Sequence, residues 1–415
     1  MLRLPTENTS DREENIMPEW ITTTLEECTD ILGDGLHGTP KYTENGEYAF
    51  VNGNNLVDGE ILIKKETKRV DYSQYDKYKK PLTNRTILVS INGTLGNVGV
   101  YGSEKIILGK SACYFNVKES VDKDFIYYIV SSPTFKQYLE SNATGTTIKN
   151  ISLKQMREYT FDLPEIGEQK RISSVLRKID EKIKNNRAIN NNLEQQAQAI
   201  FKSWFIDFEP FNKTMPSDWI IGTIDDLAKE VVCGKTPSTK KAEYYGSNIP
   251  FITIPDMHGK TYAVTTERYL SKLGANSQIK KSLPKNSICV SCIGTAGLVT
   301  LVAEESQTNQ QINSIIPKDG FSPYYIYLLM QRLSDTINKL GQSGSTIVNL
   351  NKSQFGKIQV IIPALSVMIK FDKIVSPMFE KMLQNQMENL KLTSLRDALL
   401  PRLMSGELDV SDIEI

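Results

Sequence analysis

Histidine is almost absent from this sequence: only His37 and His258 occur, so acid–base catalysis by imidazole has hardly a candidate. The five cysteines (Cys28, Cys113, Cys233, Cys289, Cys292) are odd in number and scattered, which excludes a disulfide scaffold. With no Cys/His cluster, no metal site is expected. No apolar run approaches the ~18 residues of a membrane span. The first twenty residues lack the apolar segment of a secretory signal, so the cytoplasm is the expected compartment. Net charge is missing too. Lys+Arg and Asp+Glu both number 49, which excludes a globally basic coat for nucleic acid but not a local basic groove. What remains is a chain of 415 residues, 40% apolar and 24% charged, too long for one ordinary core.

Comparing the chain with itself is more informative. Pro18-Glu19-Trp20-Ile21 returns as Pro216-Ser217-Asp218-Trp219-Ile220, and Ile87–Thr94 returns as Ile288–Thr295. Gly145-Thr146-Thr147-Ile148-Lys149-Asn150 returns as Gly344-Ser345-Thr346-Ile347-Val348-Asn349, and Phe161–Pro164 as Val360–Pro363. The offset stays between 198 and 201, so the chain is a duplicated domain. Residues 18–165 and 216–364 carry short apolar runs broken by Gly, Asn, Pro and Ser, the texture of strands and loops. One inner helix is expected in each, over Asp124–Glu140 and Pro323–Leu340.

After Pro164 and Pro363 the texture turns long and polar, and two long helices are expected over Glu168–Asp207 and Val367–Leu400. Apolar residues recur at three- and four-residue spacing, from Ile172 and Leu176 to Trp204 in the first and from Phe371 and Val375 to Leu403 in the second, a heptad-type seam. Both seams turn polar at matching places, Asn186 and Asn190 against Asn385 and Asn389. In an antiparallel pair Asn186 meets Asn389 and Asn190 meets Asn385, a register device. The alternative is two amphipathic helices, each packed on its own domain. Antiparallel pairing puts the copies at opposite ends of a rod roughly 48 Å long at ~1.5 Å per residue. That length corresponds to about 14 base pairs of B-DNA.

Catalytic look-alikes fail. Gly33-Asp34-Gly35-Leu36-His37-Gly38 fits G-x-G-x-x-G, but Pro40 follows and no helix opens there. Gly234-Lys235-Thr236 resembles the end of a phosphate-binding loop, yet Lys229 stands where its first glycine belongs. Cys289 and Cys292 lie on one strand, where alternation sends them to opposite faces as buried thiols. No catalytic residue is expected.

The ordered set of motifs resembles the specificity subunits of Type I restriction–modification enzymes, over roughly Pro18 to Val410. The resemblance rests on the two Trp-bearing openings, on Gly234–Ser238 followed by Tyr244-Tyr245-Gly246 and Ile249–Ile252, and on the strand ending in Gly-Thr. It rests also on the Gly-(Thr/Ser)-Thr…Asn loop, on Leu163–Ile172, on Trp204–Pro210 and on Leu395–Leu408. It implies an α+β chain of two tandem target recognition domains, strand-rich with an inner helix, linked by two long helices forming an antiparallel coiled coil. The expected layout is a flexible segment at 1–17, target recognition domains at 18–165 and 216–364, spacer helices at 166–215 and 365–404, and an acidic tail at 405–415. The resemblance further implies a subunit without catalysis of its own. Each domain would read half of a bipartite, asymmetric site on double-stranded DNA. The chain would recruit two methyltransferase subunits that use S-adenosylmethionine and two restriction subunits that use ATP and Mg. The second copy departs from the first where Ser366-Val367-Met368 replace Gly167-Glu168-Gln169.

Candidate DNA contacts follow from chemistry on loops. Thr146, Thr147, Lys149 and Asn150, with Ser345, Thr346 and Asn349, offer hydroxyl, amide and lysine groups suited to phosphates and base edges. They equally fit a helix C-cap. Thr94 and Thr295 follow glycines that let a backbone approach closely, or that form a plain turn. Thr39 and Lys41, with Thr236, Ser238, Lys240 and Lys241, lie on proline-stiffened first loops, which could also be solvated. Lys110-Ser111 and Gln310-Gln311 occupy matching positions with different chemistry, as two different half-sites require: amides can bond adenine, lysine can reach guanine. Trp204, Phe205, Phe208, Leu399 and Leu403 suit either subunit docking or the intramolecular core. The rival readings are a self-contained methyltransferase or nuclease with an appended reader, and a coiled-coil adaptor without nucleic acid.

Overall fold

The computed structural model describes residues 20–145, 147–342, 349–411 and 413. They form two compact units, one running to Glu181 and resuming at Thr393, the other spanning Lys182–Leu392.

In the first unit the β-branched runs form an antiparallel sheet. Its strands are β1 (Thr29–Asp34), β2 (Thr86–Ser90), β3 (Val98–Val100) and β4 (Ala112–Val117), in the order β1-β4-β2-β3. Every residue of β2 and β4 is buried. A smaller sheet pairs Tyr48–Val51 with Ile106–Leu108 in parallel, and Ile21–Thr24 with Thr160–Leu163 closes the domain. The inner helix is two helices, α1 (Lys123–Ser131) and α2 (Pro133–Asn142). Ser132 and Pro133 divide the expected span. The Ser132 hydroxyl caps the Phe135 N–H, and proline at the first helical position supplies no N–H to continue α1. Phe115, Phe125 and Phe135 are fully buried, each worth about 1.5–3 kcal/mol of apolar burial. They share one core with Ile172 and Leu176 of α3 (Ile166–Phe205), with Leu400 and Leu403, and with Val410 of the expected acidic tail.

The second unit repeats the plan. Its strands β5 (Ala228–Cys233), β6 (Ile288–Ser291), β7 (Val299–Val302) and β8 (Ile312–Pro317) take the order β5-β8-β6-β7, with Tyr262–Ala263 added at the β7 edge. Ile249–Ile252 again pairs in parallel with the strand before the last, Gln307–Thr308, and Ile220–Thr223 with Gln359–Ile362 closes the domain. The inner helix is again divided, into α4 (Pro323–Arg332) and α5 (Ser334–Gly341), here without a proline.

The expected long helices are α3 and α6 (Leu365–Met404). Pro377 lies within α6 on an exposed face, where its missing N–H removes one helical hydrogen bond without ending the helix. After Phe205 the chain leaves the helix: Phe208, Asn212 and Lys213 take positive φ around a short 3-10 turn at Glu209–Phe211. Within the second unit α3 and α6 pair antiparallel. Asn186 bonds Asn389 at 2.9 Å and Asn385 bonds Asn190 at 2.8 Å, the expected register. Within the first unit the Arg396 guanidinium meets Asp180 at 2.8 Å. Phe205 and Leu403 are buried, and Trp204, Phe208 and Leu399 pack partly buried against the same two cores. Phe205 and Leu403 thus belong to the intramolecular core, while Trp204, Phe208 and Leu399 line its edge.

Candidate nucleic-acid interface

Strand register brings distant loops of the first copy to one end of its sheet. Asp34, the last residue of β1, lies opposite Cys113, and Ser90, the last of β2, lies opposite Ala112. The segments after β1, after β2 and before β4 therefore emerge together. Backbone bonds bind them: Leu36 N–H donates to the Leu108 carbonyl at 2.7 Å, and Ile91 N–H to the Ser111 carbonyl at 3.0 Å. A fourth segment joins when Gly93 N–H donates to the Lys149 carbonyl at 3.0 Å and the Asn92 amide to Asn150 Oδ1 at 3.2 Å. Gly35 explains the G-x-G run, since a Cβ there would strike the Leu108 and Gly109 carbonyls.

The end so built carries Thr94, Lys110, Thr147 and Lys149 exposed, with Asn150 half-buried beside Asn92. Thr39 is exposed on the loop after β1, and Lys41 is carried away to Gln74, whose Oε1 accepts its N–H at 3.1 Å. Ser111 is committed internally. Its hydroxyl accepts from Gly53 N–H and donates to Asn52 Oδ1, both at 3.0 Å. Thr146 lies outside the described residues.

The second copy assembles the same end. Cys233 closes β5 opposite Asn313 and Ser291 closes β6 opposite Ile312. Gly234 N–H donates to the Ile312 carbonyl at 3.1 Å and Cys292 N–H to the Gln311 carbonyl at 2.8 Å. Ile293 bridges Asn349. Thr236 is brought to Gln310, its hydroxyl donating to Oε1 at 2.7 Å. Thr295, Ser238, Lys240 and Asn349 are exposed, and Lys241 bonds the Tyr244 hydroxyl at 3.1 Å while lying over its ring. Ser345 and Thr346 lie outside the described residues.

The comparisons with known proteins come from this same duplicated span. A family model described as "Type I restriction modification DNA specificity domain" matches the chain twice, over residues 17–195 and 216–391. The chain belongs to the specificity-subunit family of type I restriction–modification systems.

This specificity subunit is 34% identical to the Type I restriction enzyme HindI specificity subunit of Haemophilus influenzae, over 69% of this chain and 77% of that one. It is 26% identical to the MjaIX specificity subunit of Methanocaldococcus jannaschii, over 90% and 87%. Its fold is like that of the crystallised S subunit from M. genitalium, with a TM-score of 0.61, 20% identity, and coverage of 94% and 97%.

Cys289 and Cys292 enter two different cores, and burial pushes both thiols up to about 12. Among the described residues no group of three or more His, Cys, Asp and Glu lies close enough to hold a metal. No described helix is long and apolar enough to cross a membrane. Sequence reasoning missed the asparagines that shape the interface. Asn52 engages Ser111, Asn92 ties two loops, and Asn309 accepts from Gln311 N–H at 3.1 Å. Lys68, in a basic run that the sequence offers either for holding the DNA backbone or as a solvated face, lies over the Tyr42 ring at 4.5 Å beside a cavity of about 310 Å³. Asn92 stood inside a repeated motif and was the one within reach.

Proposed function

We propose that this specificity subunit reads a bipartite, asymmetric site on double-stranded DNA, one half with each copy, and has no catalysis of its own. It recruits two methyltransferase subunits, which use S-adenosylmethionine, and two restriction subunits, which use ATP and Mg, in the cytoplasm. One observation carries the reading: both copies gather equivalent loops at the same end of an equivalent sheet, and the residues offered there differ between copies. Lys110 and Ser111 stand in one where Gln310 and Gln311 stand in the other, so the two half-sites differ. Lysines at this end hold phosphates and fix register, while amides and hydroxyls read base edges. The methyltransferase partners flip the target adenines into their own pockets.

Methylome sequencing of a host with and without this gene tests the proposal. Loss of one bipartite methyl-adenine motif is expected, and an unchanged methylome overturns it. Methyl transfer by the purified chain alone would favour a self-contained enzyme instead.

A further inference from the structure

An unconstrained glutamine offers both an acceptor and a donor, which is why it can bond adenine through N6 and N7 together. In the second copy the fold removes that choice. Gln310 and Gln311 form the turn between Gln307–Thr308 and β8, which the Cys292 and Gly234 amides pin on either side. The Gln311 backbone N–H donates to Asn309 Oδ1 at 3.1 Å. A backbone amide can only donate, so this bond fixes which way Asn309 faces. Its Nδ2 must then point at Gln311 and does so, donating to Oε1 at 3.0 Å. Gln310 is held in the same sense, its Oε1 accepting from the Thr236 hydroxyl at 2.7 Å. Each carbonyl is turned toward a protein donor and spends a lone pair on it, and both NH₂ groups remain. Gly294 keeps the space beside one of them open, since Gln311 Nε2 lies 3.7 Å from where a Cβ would stand.

We propose that these two glutamines meet DNA through their NH₂ donors, and that the half-site read by residues 216–364 contains a guanine recognised through its N7 and O6 acceptors. The inference rests on the reading that this end of the domain meets DNA. Adenine would set its N6 donor against an NH₂ group, whereas guanine presents acceptors at both positions. Thr236 and Asn309 are positioning residues. The first copy has no such pair: Lys110 and Ser111 occupy the matching turn, and the Ser111 hydroxyl donates to Asn52.

The test is the methylome of the native host carrying wild-type, Gln310→Ala, Gln311→Ala or Thr236→Val versions of the full chain. Each glutamine variant is expected to relax one guanine of one half of the motif and leave the other half unchanged. Thr236→Val frees the Gln310 carbonyl, so adenine becomes accepted at the position that wild type reserves for guanine. With the purified complex, 7-deazaguanine at that position should weaken binding about 5- to 150-fold. A half-site without guanine, glutamine variants with an unchanged motif, or Thr236→Val lowering methylation without changing base preference overturns the inference alone. A wild-type host without any bipartite motif overturns the DNA-reading assignment and this inference with it.

Discussion

Asn186 donates through Nδ2 to Oδ1 of Asn389 at 2.9 Å, deep in the seam between the two long helices. The reciprocal pair, Asn385 to Asn190, lies one turn away at 2.8 Å. Asn186 and Asn385 are 1% and 0% exposed, and the Asn385 Oδ1 has no partner among the described residues. Leucine would pack better at these positions, so the amides act by favouring one register over its neighbours. A single Asn186→Leu change leaves Asn389 Oδ1 without its donor and should cost about 1–3 kcal/mol. Adding Asn389→Leu should restore the melting temperature or raise it. Thermal unfolding of the two singles and the double decides this, and strictly additive losses would contradict it.

Tyr128 of α1 and Tyr327 of α4 each tie a recognition domain to a carboxylate of α3. Tyr128 donates to Asp180 at 2.8 Å and Tyr327 to Glu194 at 2.9 Å. Replacing either by Phe should cost about 1.5–3 kcal/mol in denaturant unfolding, the usual range for a bond to a charged group. Burial first, then the neighbouring carboxylate, pushes both phenols well above their ordinary range. The folded state therefore holds these protons more tightly than the unfolded chain. Their contribution is complete below about pH 10, where unfolded tyrosine titrates, and fades as the pH rises beyond it. The double Phe variant should lose less stability between pH 9 and 11 than wild type, and parallel losses would contradict the assignment.

Burial raises the Cys28, Cys113, Cys289 and Cys292 thiols, leaving the half-exposed Cys233 as the accessible one. A disulfide reagent at pH 8 should modify one thiol quickly in the native chain and all five in denaturant. Cys233 closes β5 with its Sγ 3.9 Å from the Gln310 carbonyl, so bound duplex should slow its reaction. Fast modification of several native thiols would contradict the packing.

Lys149 and Lys240 stand exposed at the loop ends of the two copies. As phosphate contacts, each Lys→Ala variant of the methyltransferase complex should lower the slope of log affinity against log salt by about one, with an unchanged methylated motif. A changed motif would move that lysine from phosphate to base contact.

The duplication and the seam register could be read from sequence because both are local patterns repeated at one offset. The asparagines at 186, 190, 385 and 389 interrupt an otherwise apolar stripe, and a stripe has few ways to pair. The convergence of the loops could not be read. It depends on which residue of β1 faces which residue of β4, a register that short buried strands do not encode. Ser111 looked available to DNA because its partner Asn52 is 59 residues away. The division of the first inner helix was within reach, since Ser132-Pro133 is the same start signal that Ser322-Pro323 provides for α4.

The most direct test of independent reading by the two copies is an exchange of residues 216–364 for the equivalent span of another specificity subunit, followed by methylome sequencing. The methylated motif should keep one half and acquire a new second half. A motif altered in both halves, or in neither, would contradict the account.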